Sequence, residues 1–580
     1  MAVSNQQIIA ILRELVALTT LEEESAQAFR VRALENAIVG IESETRHLAE
    51  LDEKEMVGIK GVGTSTASKI REFLDTGSIK KLDALRAAYP PDFVALSRIP
   101  GVGPKTLKRM RSDLNIENLD DLKAAIDGEK LRGLPGLGAK SEAKIAQSIE
   151  RLGLHGKDRR TPIAEAMPIA LDMVAELRGL KTVEDVQYCG SLRRFSETIG
   201  DVDIIVSSND ASAVMEHFVG LPSVADVIAH GETKSSIITT TGLQVDVRVV
   251  TPDEYGAAMV YFTGSKAHNI KLRQIALSRG LLLNEYSLSD SETGKVKASK
   301  TEASIYKALG LAYIPPTMRE DSGEIEAAAD GSIPQVVQLD DIKGDLHFHS
   351  DWSGDGRSSI EDMIGAARDR GLDYISFTDH AIDLAINGLT KDQMLEQRGL
   401  LKRKRPRGLT ILHGTELNIG RDGSLDYDLD FRLGFDWTVA SVHSSFDLDP
   451  EVQTARLIKA ISDPGVAAIG HLSGRMIGRR PGIQFEMEPV LEAALVTGTA
   501  IEINGALPRL DATVDVIRKG REMGVTFVIS TDSHHVSNLR RMSYGVQQAQ
   551  RGWLEPEQIL NTNPLDVVKK FVKAKRDLLT

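Results

Sequence analysis

Cysteine is almost absent: Cys189 is the single one in 580 residues. That excludes an internal disulfide framework and a cysteine-built zinc site, and makes a reducing cytoplasm the expected compartment. No uninterrupted apolar run approaches the ~18–20 residues of a membrane span. The start, Met1-Ala2-Val3-Ser4-Asn5-Gln6 with Arg13 and Glu14 soon after, lacks a secretory pattern. A net charge of −13 leaves no uniformly basic coat for nucleic acid. The charge is uneven, however. Residues 1–160 carry 25 Lys and Arg against 24 Asp and Glu, whereas the remaining 420 carry 45 against 59. A polyanion is expected to meet the first part more readily.

What is present is apolar mass for several cores: 42% hydrophobic and 26% charged residues, over a length that suits three or four domains. The first 150 residues read as helices. Gln7 to Val16 and Ala26 to Ile41 space Ile8, Ile11, Leu12 and Leu15, then Phe29, Leu34 and Ile38, at the helical period. A Gly-x-Gly turn then recurs three times, at Gly61/Gly63, Gly101/Gly103 and Gly136/Gly138, each before a lysine-bearing helical segment. Such a turn leaves backbone N–H groups open at a helix start, where they can hold a phosphate. The middle copy lies among Arg98, Lys105, Lys108, Arg109 and Arg111. Any one copy could be an ordinary turn between helices; three together form the helix-hairpin-helix pattern, which grips the DNA backbone without reading bases.

In the middle, Asp201 and Asp203 alternate along a predicted strand, so their carboxylates share one side. Asp246 follows on a second strand-like run, Leu243 to Val250. Three converging carboxylates suit a pair of divalent ions. Upstream, Gly190-Ser191-Leu192-Arg193-Arg194 supplies a turn, a hydroxyl and two guanidiniums for a triphosphate. Together these form a nucleotidyltransferase signature. Residues 317–338 are poor in apolar periodicity, contain Gly323, Gly331 and Pro334, and read as a linker of ~20 residues.

Beyond it, short apolar runs alternate with helical stretches, which predicts a parallel α/β domain and a barrel. Eight of the 13 histidines lie between residues 345 and 535. His347 and His349 share a strand face, and Asp355 follows. The later runs end at His380, Glu416, His443, His471 and Asp532 with His534. Strand ends of an α/β barrel converge on one mouth. Nine nitrogen and oxygen donors without sulfur suit two or three ions of Mn²⁺, Zn²⁺ or Fe²⁺, and metal-assisted hydrolysis of a phosphoester.

Residues 1–315 resemble a family X DNA polymerase, the group that contains polymerase beta. The likeness rests on Gly190 to Arg194 through Gly200-Asp201-Val202-Asp203, on Tyr261-Phe262-Thr263-Gly264-Ser265 with Asn269 and Arg273, and on Asn284-Glu285-Tyr286. It implies that Asp201 and Asp203 bind two metals (Mg²⁺ or Mn²⁺), and that Asp246 binds the catalytic one and aids deprotonation of the primer hydroxyl. Gly190, Ser191, Arg194 and Gly200 would hold the triphosphate. Tyr261, Phe262, Gly264 and Asn269 would meet the nucleotide, and Arg273 the template. Gln244 departs from the family, whose vertebrate members have Arg there, and Lys266 adds a charge near Asn269. Lys69 matches the Schiff-base lysine that removes 5′-deoxyribose phosphate; the other reading is a lysine that contacts backbone phosphate.

The C-terminal part resembles the PHP (polymerase and histidinol phosphatase) domain at all nine donor positions, with Asp355 where some members have His. The whole chain is similar to bacterial family X polymerases with a C-terminal PHP domain. The implied architecture is multidomain. An all-α lyase-like DNA-binding region (1–85) and helix-hairpin-helix fingers (86–155) precede an α+β palm (156–250) and a thumb (251–316). The linker (317–340) then leads to an α/β PHP domain, a distorted β/α barrel (341–580). The implied function is filling of short gaps in gapped or nicked DNA with dNTPs. A 3′→5′ exonuclease, and in some members nicking at abasic sites, would reside in the barrel. A cytoplasmic, nucleoid-associated monomer is expected. The rival reading is a DNA-binding module with a weak polymerase core that delivers a PHP nuclease or phosphatase.

Overall fold

A computed structural model describes residues 5–25, 27–42, 44, 46–97, 99, 101–151, 160–384 and 388–579. Residues 1–4, Ala26, Arg98 and Pro100, used in the readings above, lie outside these. The chain divides into two compact units, one built on residues 1–160 with 220–226 and 238–242, the other on the remainder.

In the first unit, helices Asn5–Glu22, Phe29–Glu42, Thr64–Thr76 and Lys80–Ala88 enclose a core that includes Ile8, Leu12, Leu34, Ile38, Ile70 and Leu85. Phe29 does not join it. This residue opens its helix and is 86% exposed, and the buried stripe starts at Val31 instead. A second core gathers Phe93, Leu107, Met110, Leu122 and Ile145 around helices Pro104–Leu114, Leu119–Asp127 and Ala139–Arg151.

The second unit begins with the palm. Its sheet places strand Val202–Ser208 between Val183–Tyr188, antiparallel, and Gln244–Val250, parallel. Asp203 stands directly opposite Asp246 in that parallel register. Asp201 differs from expectation: it precedes the strand, which starts at Val202, and lies in the exposed turn after Gly200. The thumb follows, with helices Tyr255–Thr263, Lys266–Ser278 and Glu302–Ala308 beside a three-stranded antiparallel sheet.

Residues 317–340 are not an open linker. Met318, Ile325, Ala328 and Val336 join the thumb core, and Glu324–Asp330 forms a short helix. Glu324 is buried, where its carboxylate meets His268 Nδ1 at 2.7 Å and accepts the N–H groups of Asp321 and Ser322. Its apolar residues are too few for a visible period, yet most of them pack; Leu339 stays exposed.

Seven parallel strands form the last domain in sequence order: Gly344–Phe348, Tyr374–Phe377, Thr410–Asn418, Trp437–Ser441, Ala468–Gly470, Ala500–Asn504 and Phe527–Ser530. A parallel bridge between Phe348 and Ser533, with His349 N–H donating to Ser533 O at 2.8 Å, nearly closes the sheet into a barrel. Helices between the strands cover the outside. Leu417, Ala440, Ile469, Ile501 and Ile529 lie in the main core, and Trp437 in a second one.

Candidate active sites

The three glycine turns share one geometry. Gly61, Gly101 and Gly136 have φ of 90°, 90° and 85°, and each turn is closed by a bond of 2.9–3.0 Å in which the N–H of the next residue (Val62, Val102, Leu137) donates to the carbonyl two residues before the glycine (Ile59, Ile99, Leu134). The second glycines are different. Gly63 and Gly103 cap their helices at φ of −86° and −74°, which any residue can adopt. A Cβ at Gly63, Gly103 or Gly138 would meet nothing within 4 Å. The fold itself therefore does not require glycine there, whereas close approach of an external backbone does. Lys105 is exposed beside the second turn. Its basic neighbours are engaged: Lys108 with Glu24, Arg109 with the Pro135 carbonyl, and Arg111 with Glu117. Lys69 is partly buried, with Nζ 2.6 Å from Ser65 Oγ; burial and Arg30 pull its ammonium below the usual lysine range.

In the palm, burial and the charges of Asp201 and Asp246 push the Asp203 carboxyl up to about 7. Asp246 is held on both oxygens: Gln244 Nε2 donates to Oδ1 at 2.9 Å, and Lys234 Nζ lies 3.0 Å from Oδ2. Gln244 thus supplies an orienting contact despite its departure from the family pattern. Gly190 has φ of 62°, and a Cβ there would come within 3.1 Å of Asp203 Oδ2. Ser191 and Gly200 border this carboxylate cluster along the chain. Arg194 donates to the Thr263 carbonyl at 2.6 Å and pairs with Glu320 at 3.0 Å. Arg193 is held bidentately by Glu302 at 2.9 and 2.7 Å. Glu302 also binds the buried Arg319, and these cations hold its carboxyl down at about 2 against its burial. On the thumb, the Asn269 amide donates to the Tyr261 carbonyl at 2.7 Å, Arg248 lies over the Phe262 ring, and Arg273 is one turn beyond Asn269. Gly264 lies beside the Arg194 guanidinium.

In the barrel, all nine donors meet at the carboxyl ends of the strands. Glu416 is the hub. Its Oε2 lies 2.8 Å from His380 Nδ1 and 3.5 Å from both His347 Nε2 and His349 Nε2. Its Oε1 lies 3.0 Å from His471 Nε2 and 3.3 Å from His443 Nε2. Asp355 meets His380 and His534 at 3.1 and 3.3 Å, and Asp532 Oδ1 meets His349 at 3.3 Å. Three overlapping groups keep their ligand atoms within 4.8 Å of one another: His349, Asp355, His380 and His534; His347, His349 and Glu416; His380, Glu416 and His443.

Burial and the neighbouring His534 and His380 hold His349 down at about 3, so it stays a neutral donor. Burial works against protonation of His380, but Glu416 and Asp355 carry it up to about 10. His347 Nε2 and both ring nitrogens of His349 are buried without a hydrogen-bond partner. Buried polar atoms are rarely left so, and imidazoles facing carboxylates without thiolate fit divalent metal ions.

An outer layer fixes these rings. Glu502 Oε1 lies 2.6 Å from His347 Nδ1, and its Oε2 accepts the His471 backbone N–H at 2.6 Å. Asn418 holds His443 Nδ1 at 2.7 Å, and Asn504 donates to Asp532 at 3.1 Å. These contacts turn the remaining ring nitrogens toward the cluster. The sequence reading passed over all three residues. Its available signal was an acid and an amide, Glu502 and Asn504, inside an otherwise apolar strand.

Fold and sites together define a nucleotidyltransferase joined to a metal-dependent phosphoesterase. Family descriptions match segment by segment: "Helix-hairpin-helix domain" over 3–79, "SAM-like Helix-hairpin-helix tandem" over 93–151, "DNA polymerase beta palm" over 160–260, "DNA polymerase beta thumb" over 258–320 and "PHP domain" over 345–504. The "DNA polymerase/3'-5' exonuclease PolX" of Bacillus subtilis is 37% identical over 94% of this chain and 95% of its own length. Rat DNA polymerase lambda is 26% identical over 46% of the chain and 48% of its own length. A "Probable phosphatase" of Vibrio parahaemolyticus is 30% identical over 40% of the chain and 93% of its own length. The chain belongs to the family X DNA polymerases that carry a C-terminal PHP domain. No helix among the described residues is long and apolar enough to cross a membrane.

Proposed function

We infer that the protein is a DNA-directed DNA polymerase that fills short gaps and a metal-dependent 3′→5′ exonuclease that trims primer ends. The observation that supports this best is the presence of both complete donor sets, three palm carboxylates and nine barrel ligands, in a chain alignable with PolX over 94% of its length. At the palm, Asp201, Asp203 and Asp246 hold Mg²⁺ or Mn²⁺, which supplies charge stabilisation for phosphoryl transfer. Asp246, oriented by Gln244 and Lys234, receives the primer hydroxyl proton. Gly190, Ser191, Arg194 and Gly200 position the triphosphate. Tyr261, Phe262, Gly264 and Asn269 line the nucleotide, and Arg273 touches the template strand. Gly61, Gly63, Gly101, Gly103, Lys105, Gly136 and Gly138 grip backbone phosphates of gapped or nicked DNA.

At the barrel, His347, His349, Asp355, His380, Glu416, His443, His471, Asp532 and His534 hold two or three ions. Mn²⁺, Zn²⁺ or Fe²⁺ each suits these nitrogen and oxygen donors. When bound, such ions would supply Lewis acidity for phosphodiester hydrolysis. A monomer acting at the nucleoid completes the reading. A primed one-nucleotide gap, incubated with and without dNTPs in Mg²⁺ and then in Mn²⁺, tests it. Insertion with dNTPs, and 3′ shortening without them that is stronger in Mn²⁺, is the expected outcome; absence of either activity removes that half.

A second reading concerns Lys69. Its lowered proton affinity suits a Schiff-base nucleophile. Borohydride trapping on a 5′-deoxyribose phosphate, lost in Lys69→Ala, separates it from a phosphate contact, which leaves no covalent adduct.

A further inference from the structure

Building on the exonuclease reading, we propose that Arg509 binds the phosphate of the DNA end held in the barrel. Arg509 lies in the loop between strand Ala500–Asn504 and helix Val514–Met523, on the same rim as the ligands. Its Nε is 3.8 Å from Oδ2 of Asp532, a cluster carboxylate, and its side chain is only 21% exposed. Among the described residues, its guanidinium donates no hydrogen bond to protein, and NH1 is buried without a partner.

The surrounding arginines are engaged. Arg475 pairs bidentately with Glu197 at 3.0 and 2.8 Å. Arg480 donates to the Gly474 carbonyl and lies 3.9 Å over the Phe446 ring. Arg541 donates to the Asp532 carbonyl at 2.8 Å. Of these four arginines, Arg509 alone combines a place beside the cluster with uncommitted donors.

A buried NH1 group with no hydrogen-bond partner leaves donor capacity unused, so this guanidinium points to a ligand that completes it. The planar fork of an arginine matches the paired oxygens of a phosphate. Asp355, Glu416 and Asp532 line the same mouth and would repel a DNA phosphate, so a fixed cation beside them has a clear electrostatic role.

The loop is also held rigid. Arg475 Nε donates to the Arg509 carbonyl at 2.8 Å, and its NH2 group to the Leu510 carbonyl. Arg509 N–H donates to the Ala506 carbonyl at 2.7 Å, and Asp511 accepts from Ser473. Because Arg475 is clasped by Glu197 of the palm, the palm steadies the loop that presents Arg509.

The test uses the full chain loaded with Mn²⁺. It follows 3′ digestion of a single-stranded oligonucleotide, inhibition by a deoxynucleoside 5′-monophosphate and by the phosphate-free nucleoside, and metal content per chain. Arg509→Met is expected to keep the wild-type metal content. It should raise KM for DNA, and weaken inhibition by the monophosphate alone, by about tenfold or more, the effect of losing a charged hydrogen bond. Arg509→Lys should recover part of both. Wild-type inhibition constants in Arg509→Met, or a loss of metal that accounts for its defect, would overturn the proposal. Absence of 3′ digestion by the wild-type protein would instead defeat the exonuclease reading on which it stands.

Discussion

The palm and the barrel both gather acids around metal chemistry, but by opposite means. The palm uses three carboxylates, of which Asp201 is exposed and Asp203 half-buried, with Lys234 and Gln244 steadying Asp246. Its excess negative charge shows in Asp203, raised to about 7. The barrel interleaves six imidazoles with three carboxylates in a buried cluster, and the rings draw the Glu416 carboxyl well below the usual range despite its burial. A site whose donors repel one another is suited to ions that come and go with a polyphosphate. A buried site that pairs carboxylates with imidazoles and has an outer layer of Glu502, Asn418 and Asn504 is suited to ions that stay.

The sharpest way to break this contrast is at the hub. Glu416→Gln removes the charge that faces five imidazoles, so metal content should fall and 3′ digestion should drop by more than the ~10–100-fold of an outer-layer change. Retained metal and digestion would show that the barrel ligands do not work as one cluster. Next comes Asp203→Asn, which should lower gap filling by roughly 10²-fold or more, since charge stabilisation at such a centre is usually worth ~3 kcal/mol or more. Barrel metal in that variant should stay at the wild-type level.

Glu502→Gln keeps the shape but weakens the hold on His347 and His471, so a metal-affinity loss of ~10–100-fold by competition with a chelator is expected. Gly103→Ala should change thermal stability little, because its Cβ meets no protein atom within 4 Å, while weakening DNA binding without regard to sequence. A sequence-selective loss in filter binding would contradict the backbone grip.

The smallest effect lies away from both sites. Lys575, in helix Leu565–Leu579, is buried against the Ile461 carbonyl and the Thr499 hydroxyl, and burial pulls its ammonium down to about 7, with Asp463 opposing. Between pH 7 and its unfolded value of about 10.4, the unfolded chain binds more protons, so this group makes stability rise with pH. The Tm of the wild-type protein should therefore gain on that of Lys575→Met between pH 7 and 9, by about 2–4 °C for each kcal/mol released. A constant difference across that range would refute the assigned burial effect.

Much of this was legible because every strand of the barrel but Ala500–Asn504 announces its own ligand locally. Apolar runs ending at His380, Glu416, His443 and His471 state both the strand and the donor. The partners of those donors were harder to see. Glu502 and Asn504 sit within a strand rather than at its end, and their value appears only when the barrel brings them to residues 155 and 28 positions away. The Glu197–Arg475 clasp spans 278 positions and has no local trace at all. Residues 317–340 misled for a different reason: weak apolar periodicity with Gly323, Gly331 and Pro334 reads as a linker, yet the segment is held in place by a buried Glu324 that meets His268. Phe29 misled in the reverse sense, since periodicity alone cannot tell the first residue of a stripe from the one just outside it.

The central claim is that synthesis and digestion are separate chemistries in two places on one chain. One reaction tests it most directly: a labelled primer on a one-nucleotide gap, with Mn²⁺, followed with and without dNTPs for the wild-type protein, Asp203→Asn and Glu416→Gln. The account predicts that Asp203→Asn shortens the primer at the wild-type rate but fails to extend it, and that Glu416→Gln extends it at the wild-type rate but fails to shorten it. Loss of both activities in either variant would contradict the account.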